Sequence, residues 1–322
     1  MKKLFCVMLT VLMIVSLFAG CGSKADDGVI NVAIIQQLDH SSLDEIRLAA
    51  QAQLDKIAAE KGVKVEYKHF NGQNDTSILA QIGTQVVSDG YDLILPIATL
   101  AAQYSVTAAE GKNIPVVYAA VSDPAGAGLT GFADVTGVSD ALNTPFILDM
   151  MFAADPDIQT VGLLYSQSEP NSELPIKEAK EYLDAKGIAY IEKTGNSIDE
   201  VTAAAAALVG RCDVVFTPTD NAIMNAAVTV AETLNAAGIA HYTGADSFVQ
   251  AGSFVTCGVN YSELGAYAAT MAMDILLGGE VPEFHVMEGG IITVNTDTAA
   301  ALGLDYSVFS AMGQIVEVTT AE

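Results

Sequence analysis

Short apolar runs rich in Val, Ile and Leu recur along the chain. Each ends in polar or turn residues, and most lead into a helical pattern. The first, Val-Ile-Asn-Val-Ala-Ile-Ile at 29–35, suits a parallel strand buried on both faces. The pattern predicts further strands over 63–70, 93–98 and 114–121, with helices over 41–60, 75–88 and 100–109 between them. Strands spaced about 30 residues apart and separated by helices are the βαβ repeat. The order then restarts, with helices over 145–154, 174–186, 221–236 and 264–277. The strands of this second set fall over 158–165, 188–192, 213–217, 239–242 and 254–259. Ser197 and Glu200 have capping-box spacing ahead of an Ala-rich helix. Gly62, Gly187, Gly238 and Gly278 stop the helices that precede them. Only the order of elements repeats, not the sequence.

Two such sets predict two doubly wound parallel-sheet α/β domains joined by a three-segment hinge. The expected lobes are 29–138 with 250–279, and 139–249 with 280–322. Ligands in these folds bind beyond the carboxyl ends of the strands, so the residues after each strand are the place to look for chemistry.

Composition narrows the field. The chain has 322 residues, 51% hydrophobic, with 14 Lys+Arg against 39 Asp+Glu and a formal charge of −25. A surface this acidic repels phosphate backbones and anionic lipid headgroups, which argues against nucleic acid as a partner. The N-terminus reads as a targeting segment over 1–20. Lys2 and Lys3 precede an apolar stretch from Leu4 to Phe18, followed by Ala19, Gly20 and Cys21. The stretch is shorter than the ~20 residues a spanning helix needs. Phe18-Ala19-Gly20-Cys21 resembles a bacterial lipobox, which implies lipidation of Cys21, a polar tether over 21–28 and membrane attachment through lipid alone. Cys212 and Cys257 each sit in an apolar run and read as buried thiols, with a disulfide as the alternative in an exported protein.

The strand ends carry the candidate chemistry. Gln37, His40, Ser41, Leu43 and Asp44 follow the first strand, where Ser41 and Asp44 also fit a capping pair. Thr99 follows the third, and Ser122 and Asp123 follow the fourth. Gly126, Gly128 and Gly131 match a dinucleotide fingerprint in spacing, but a strand rather than a helix comes next, so no nucleotide cofactor is expected. In the second set, Ser168, Glu169, Asn171 and Ser172 form a polar helix start, and Asp220, Asn221 and Asp246 stand at two further corners. Asp220 reads either as an N-cap or as the partner of a ligand ammonium. The histidines are too scattered for a metal centre, and no nucleophile elbow is present, so neither metal nor catalysis is expected.

These residues carry a family resemblance. His40-Ser-Ser-Leu43-Asp44, Ala98-Thr99-Leu-Ala-Ala-Gln103, Asp123-Pro124-Ala-Gly-Ala-Gly-Leu129, Thr136-Gly137-Val138-Ser139-Asp140, Ser168-Glu169-Pro170-Asn171-Ser172, Pro218-Thr219-Asp220-Asn221 and Tyr261-Ser-Glu-Leu-Gly265 are similar to type 1 periplasmic-type solute-binding lipoproteins of ABC importers. Within that class the chain resembles the group that binds tryptophan, tyrosine and phenylalanine, although Ser41 stands where that group usually has proline. The resemblance implies a monomer that delivers an amino acid to an ABC permease. It implies a ligand-binding set of Gln37, His40, Ser41, Leu43, Thr99, Ser122, Asp123, Ser168, Glu169, Asn171, Ser172, Asp220, Asn221 and Asp246. Asp220 would take the ammonium and the 168–172 loop the carboxylate. The alternatives are a sensor lipoprotein feeding a receptor, and a non-aromatic solute.

Overall fold

The computed structural model describes residues 28–321. The targeting segment, Cys21 and nearly all of the tether lie outside them. The first lobe begins with β1 (Val29–Gln36), α1 (Ser41–Lys61), β2 (Lys64–Asn71), α2 (Thr76–Asp89), β3 (Leu93–Ile97), α3 (Thr99–Ala109), β4 (Val116–Ala119) and β5 (Val135–Ser139). The chain then passes into the second lobe through α4 (Thr144–Ala154), β6 (Thr160–Tyr165), α5 (Glu173–Lys186), β7 (Ala189–Thr194), α6 (Ile198–Ala206) and β8 (Val214–Thr217). That lobe continues with α7 (Asn221–Met224), α8 (Ala227–Ala236), β9 (Ala240–Thr243), α9 (Asp246–Gln250) and β10 (Val255–Gly258). Helix α10 (Tyr261–Leu276) and β11 (His285–Val286) return to the first lobe. Strands β12 (Ile291–Asn295) and β13 (Gln314–Val318), with α11 (Thr296–Leu302), complete the second.

The first sheet has the order β11-β5-β4-β3-β1-β2, and the second β13-β12-β10-β9-β8-β6-β7. All pairings are parallel except β10 with β12. The two-lobed architecture matches the expectation, but the lobe boundaries differ. Residues 250–258 belong to the second lobe, because Val255 and Thr256 pair with Tyr242 and Thr243. Residues 285–286 belong to the first, because His285 and Val286 pair with Val138 and Ser139. The crossings therefore lie at 140–143, 259–260 and 287–290. A strand of two residues has no periodicity to read, so the sequence pattern puts the third crossing too early, at 279–280.

Local chemistry explains most element ends. Asp75 accepts hydrogen bonds from the N–H groups of Ser77 and Ile78 at the start of α2. Ser197 caps α6 through Glu200 N, and the Glu200 carboxylate returns to Asn196 N. Gly62 and Gly187 close α1 and α5 in the left-handed region. One apolar cluster runs from the first lobe through Leu38 and Leu43 to Ile223 and Phe248 of the second. Two further clusters fill the remaining cores, one in each lobe.

Helix α10 packs on α1 at a close backbone approach. A Cβ at Gly265 would stand 2.3 Å from the Ile46 carbonyl oxygen, so only glycine fits without a shift. Gly265→Ala is expected to lower stability by ~1–3 kcal/mol through overpacking. Denaturant unfolding of the variant beside wild type measures this. An unchanged midpoint would mean that the two helices separate freely.

Candidate functional site

The carboxyl ends of β1, β3, β4 and β5 in one lobe face those of β6, β8 and β9 in the other. Between them lies a cleft with an empty volume of about 390 Å³. The first lobe contributes His40, Ser42, Leu43, Ala98, Thr99, Ala120, Ser122 and, at the crossings, Asp140 and Tyr261. The second contributes Asn171, Thr219, Asp220, Asn221, Met224, Ala245, Ser247 and Phe248.

Two alanines on this lining hold unusual backbone. Ala98 has φ 76° and ψ 164°, and Ala120 has φ 56°. Each such residue costs on the order of 1–3 kcal/mol, and strain of this kind collects at ligand sites. Ala98 leads directly into α3, which has no side-chain cap. Helices α1 and α9 also start at the cleft without one, after His40 and Ala245. Asn143, Ser197 and Asn295 cap their helices in the ordinary way, Asp220 and Asn260 cap α7 and α10 at the cleft, and α5 and α8 start without a side-chain cap. The uncapped starts of α1, α3 and α9 bring hydroxyls with them. Ser42, Thr99 and Ser247 are buried and their Oγ atoms find no hydrogen-bond partner. Ser42 Oγ faces the Asp246 carboxylate without closing a full bond. His40 Nδ1 and Asn171 Oδ1 are likewise unpaired. Leaving such atoms unsatisfied costs roughly 1–3 kcal/mol each, so their gathering in one cleft marks a binding surface.

The charges are one-sided. Asp140 and Asp220 line the cleft, with Glu169 and Asp246 close behind. Among the described residues no lysine or arginine lines it. Burial pushes the Asp140 carboxyl above the usual carboxylate range. Burial, reinforced by the neighbouring Asp220 charge, raises Glu169 as well. Asp246 is pushed up to about 6, chiefly by burial and then by the charge of Glu45. Burial also lowers His40, so its ring is neutral at pH 7.

Hydrogen bonds join the lobes across the cleft. Gln37 Nε2 donates to Glu169 Oε1 at 2.9 Å, and His40 Nε2 meets Asn221 Oδ1 at 3.1 Å. Ser122 Oγ meets Thr219 Oγ1 at 3.2 Å. Asn221 Nδ2 donates to Glu169 Oε2 at 2.9 Å, so that carboxyl sits between amides from both lobes.

Of the residues expected at the site, His40, Leu43, Thr99, Ser122, Asn171, Asp220 and Asn221 line the cleft. Gln37 and Glu169 bridge the lobes instead. Ser172 donates to Asp220 Oδ2 at 2.7 Å and braces it. Asp246 stands beside the lining and not on it. Ser41, Asp123 and Ser168 do not reach the cleft. Ser41 is exposed at the first turn of α1. Asp123 turns back to accept from Gly126 N, and exposed Ser168 pairs with Ser166 Oγ. Absent from the expected set are Ser42, Ala98, Ala120, Asp140, Thr219, Met224, Ala245, Ser247, Phe248 and Tyr261. Asp140 does follow a strand, the one signal that could have found it. Cys212 and Cys257 are free thiols.

Two α/β lobes that close over a pocket of unpaired polar groups define a protein that encloses a small solute. Residues 31–308 match the family of ABC transporter substrate-binding proteins, and the chain belongs to that family. It is a solute-binding protein and not an enzyme. It is 30% identical to a tyrosine-binding protein of Clostridioides difficile, with 94% of this chain and 93% of that one covered. Among solved structures, it resembles a Streptococcus pneumonia ABC domain in complex with L-Trp at 29% identity and a TM-score of 0.82, over 89% of this chain and 99% of that one. It resembles a ligand-free, open substrate-binding protein with adhesive properties from Clostridium difficile at 30% identity and a TM-score of 0.68, over 91% and 100%.

Raised carboxyl pKa values set the sign of a pH dependence. The folded protein holds these protons more tightly than the unfolded chain, whose carboxyls titrate near 4. Stability contributed by Glu169 and Asp246 is full below that value and declines as pH rises through the raised folded values. The thermal midpoint should fall between about pH 5 and about 8. Glu169→Gln, which mimics the protonated side chain, should flatten that fall. Equal slopes in variant and wild type would contradict a raised Glu169.

Proposed function

We propose that the protein captures one free α-amino acid with an aromatic side chain between its lobes and delivers it to an ABC permease. The observation that carries this reading is the cleft's unbalanced chemistry. Buried acids without a cation call for a ligand with a positive charge. Uncapped helix starts with unpaired hydroxyls call for a negative one. An α-amino acid presents both on adjacent atoms. Leu43, Met224 and Phe248 offer its side chain an apolar wall. The tyrosine-binding relative and the L-Trp complex support the same class.

In this reading the protein is extracytoplasmic, held to the membrane by lipid on Cys21, and monomeric until it meets its permease. It needs no cofactor. Among the described residues no helix is long and apolar enough to cross a membrane, and no cluster of His, Cys, Asp and Glu could hold a metal ion.

Thermal denaturation with a panel of amino acids tests the ligand class. A ligand at 100 times its Kd adds ~2.7 kcal/mol to the native state. Tyrosine, tryptophan or phenylalanine should raise the midpoint, and sugars should not. Thr99→Val gives a sharper test. The Thr99 hydroxyl bonds nothing in the protein, so its loss should leave the free protein's midpoint unchanged or higher. A hydrogen bond to a charged group is worth ~1.5–3 kcal/mol, so binding should weaken about tenfold or more. A lower midpoint with unaltered affinity would remove Thr99 from the site.

A further inference from the structure

The buried carboxylates at the cleft are not equivalent. Asp220, the acid that the sequence singles out, is already occupied by its own lobe. Its Oδ1 accepts from Ile223 N at 2.9 Å as the cap of α7, while Oδ2 accepts from Ser166 N at 2.6 Å and Ser172 Oγ at 2.7 Å. Glu169 is spent between Gln37 and Asn221 and does not line the cleft. Asp246 does not line it either, and faces Glu45 of the other lobe.

Asp140 differs on each count. It is only 6% exposed, yet it is part of the cleft lining. Three neutral donors reach it, the Ser122 hydroxyl at 2.9 Å, its own backbone N–H and the Tyr261 phenol. A carboxylate has about four acceptor sites, so capacity remains. Burial keeps the Tyr261 phenol a neutral donor, and no cation lies on the lining to balance the acid. A second observation points to a ligand at the same place. Thr99, Ser42 and Ser247 are at most 3% exposed and their hydroxyls on this lining are unpaired.

The geometry points to Asp140, not Asp220, as the residue that pairs with the ligand's ammonium and makes the site specific for amino acids over the matching carboxylic acids. This rests on the amino-acid reading above. Asp140 stands at the head of the first crossing, immediately after β5, and Tyr261 opens α10 just beyond the second. Recognition of the ammonium thus takes place on the hinge itself. Asp220 supports the second-lobe wall by holding the start of α7 to the turn after β6.

The test is a cycle of two ligands against three proteins, read by calorimetry. The ligands are tyrosine and its des-amino analogue, 3-(4-hydroxyphenyl)propionate. The proteins are wild type, Asp140→Asn and Asp220→Asn. Asp140→Asn should weaken tyrosine at least tenfold and leave the des-amino acid unchanged or bound more tightly. Asp220→Asn should weaken both ligands by a similar factor, since it disturbs a wall rather than a charge pair. Asp140→Ser, which keeps a polar group for Ser122 and Tyr261, serves if the asparagine variant does not fold. An equal loss for both ligands in the Asp140 variants would overturn the assignment, as would an ammonium-dependent loss in Asp220→Asn. Wild type that binds no amino acid at all would overturn the ligand class first, and this assignment with it.

Discussion

A closed cleft that buries acids without a cation, and helix starts without caps, leaves charge and hydrogen bonding unbalanced in the protein alone. Most features of the site follow from that imbalance. The strain at Ala98 and Ala120 is placed where two strands hand over to the cleft, and the missing caps on α1, α3 and α9 all face it. Asp75, Asn143, Ser197, Asn260 and Asn295 cap other helices of the chain. The unpaired buried atoms that share this lining, on His40, Ser42, Thr99, Asn171 and Ser247, are a cost that a ligand offsets.

Closure depends on a second set of contacts. Gln37 ties the first lobe to Glu169, and the Gln37 side chain also meets Asn74 and the N–H of Leu100. Asn74 sits in a tight turn with φ 54°, which brings its amide to this junction. His40 shares Asn221 with the same carboxyl. These groups hold the lobes together beside the ligand space, while Asp140 and the hydroxyls serve the ligand. Three crossings joining the lobes permit a bend and restrain a twist.

Much of the architecture is legible in the chain. Buried parallel strands are continuous apolar runs, and Gly62 or Gly187 marks a helix end directly. The corners after the strands are legible for the same reason. The side chains within those corners are less so. Asp220 has the local pattern of a cap and is one, and its braces from Ser166 and Ser172 are visible only when the lobe is folded. Asp140 gains its character from burial against Tyr261, a residue 121 positions later on another element. Ala98 and Ala120 carry no side-chain signal at all, because their role lies in the backbone. The lobe boundaries are not legible, because β10 and β11 are too short for periodicity to show which sheet they join.

The most direct measurement is a crystal structure of the protein grown with tyrosine. The account predicts one amino acid enclosed between the lobes, its ammonium on the Asp140 carboxylate and its carboxylate among the starts of α1, α3 and α9. An amino acid bound with its ammonium on Asp220 and Asp140 left to Ser122 and Tyr261 alone would contradict it. So would a cleft that closes in the same crystal without taking up the amino acid.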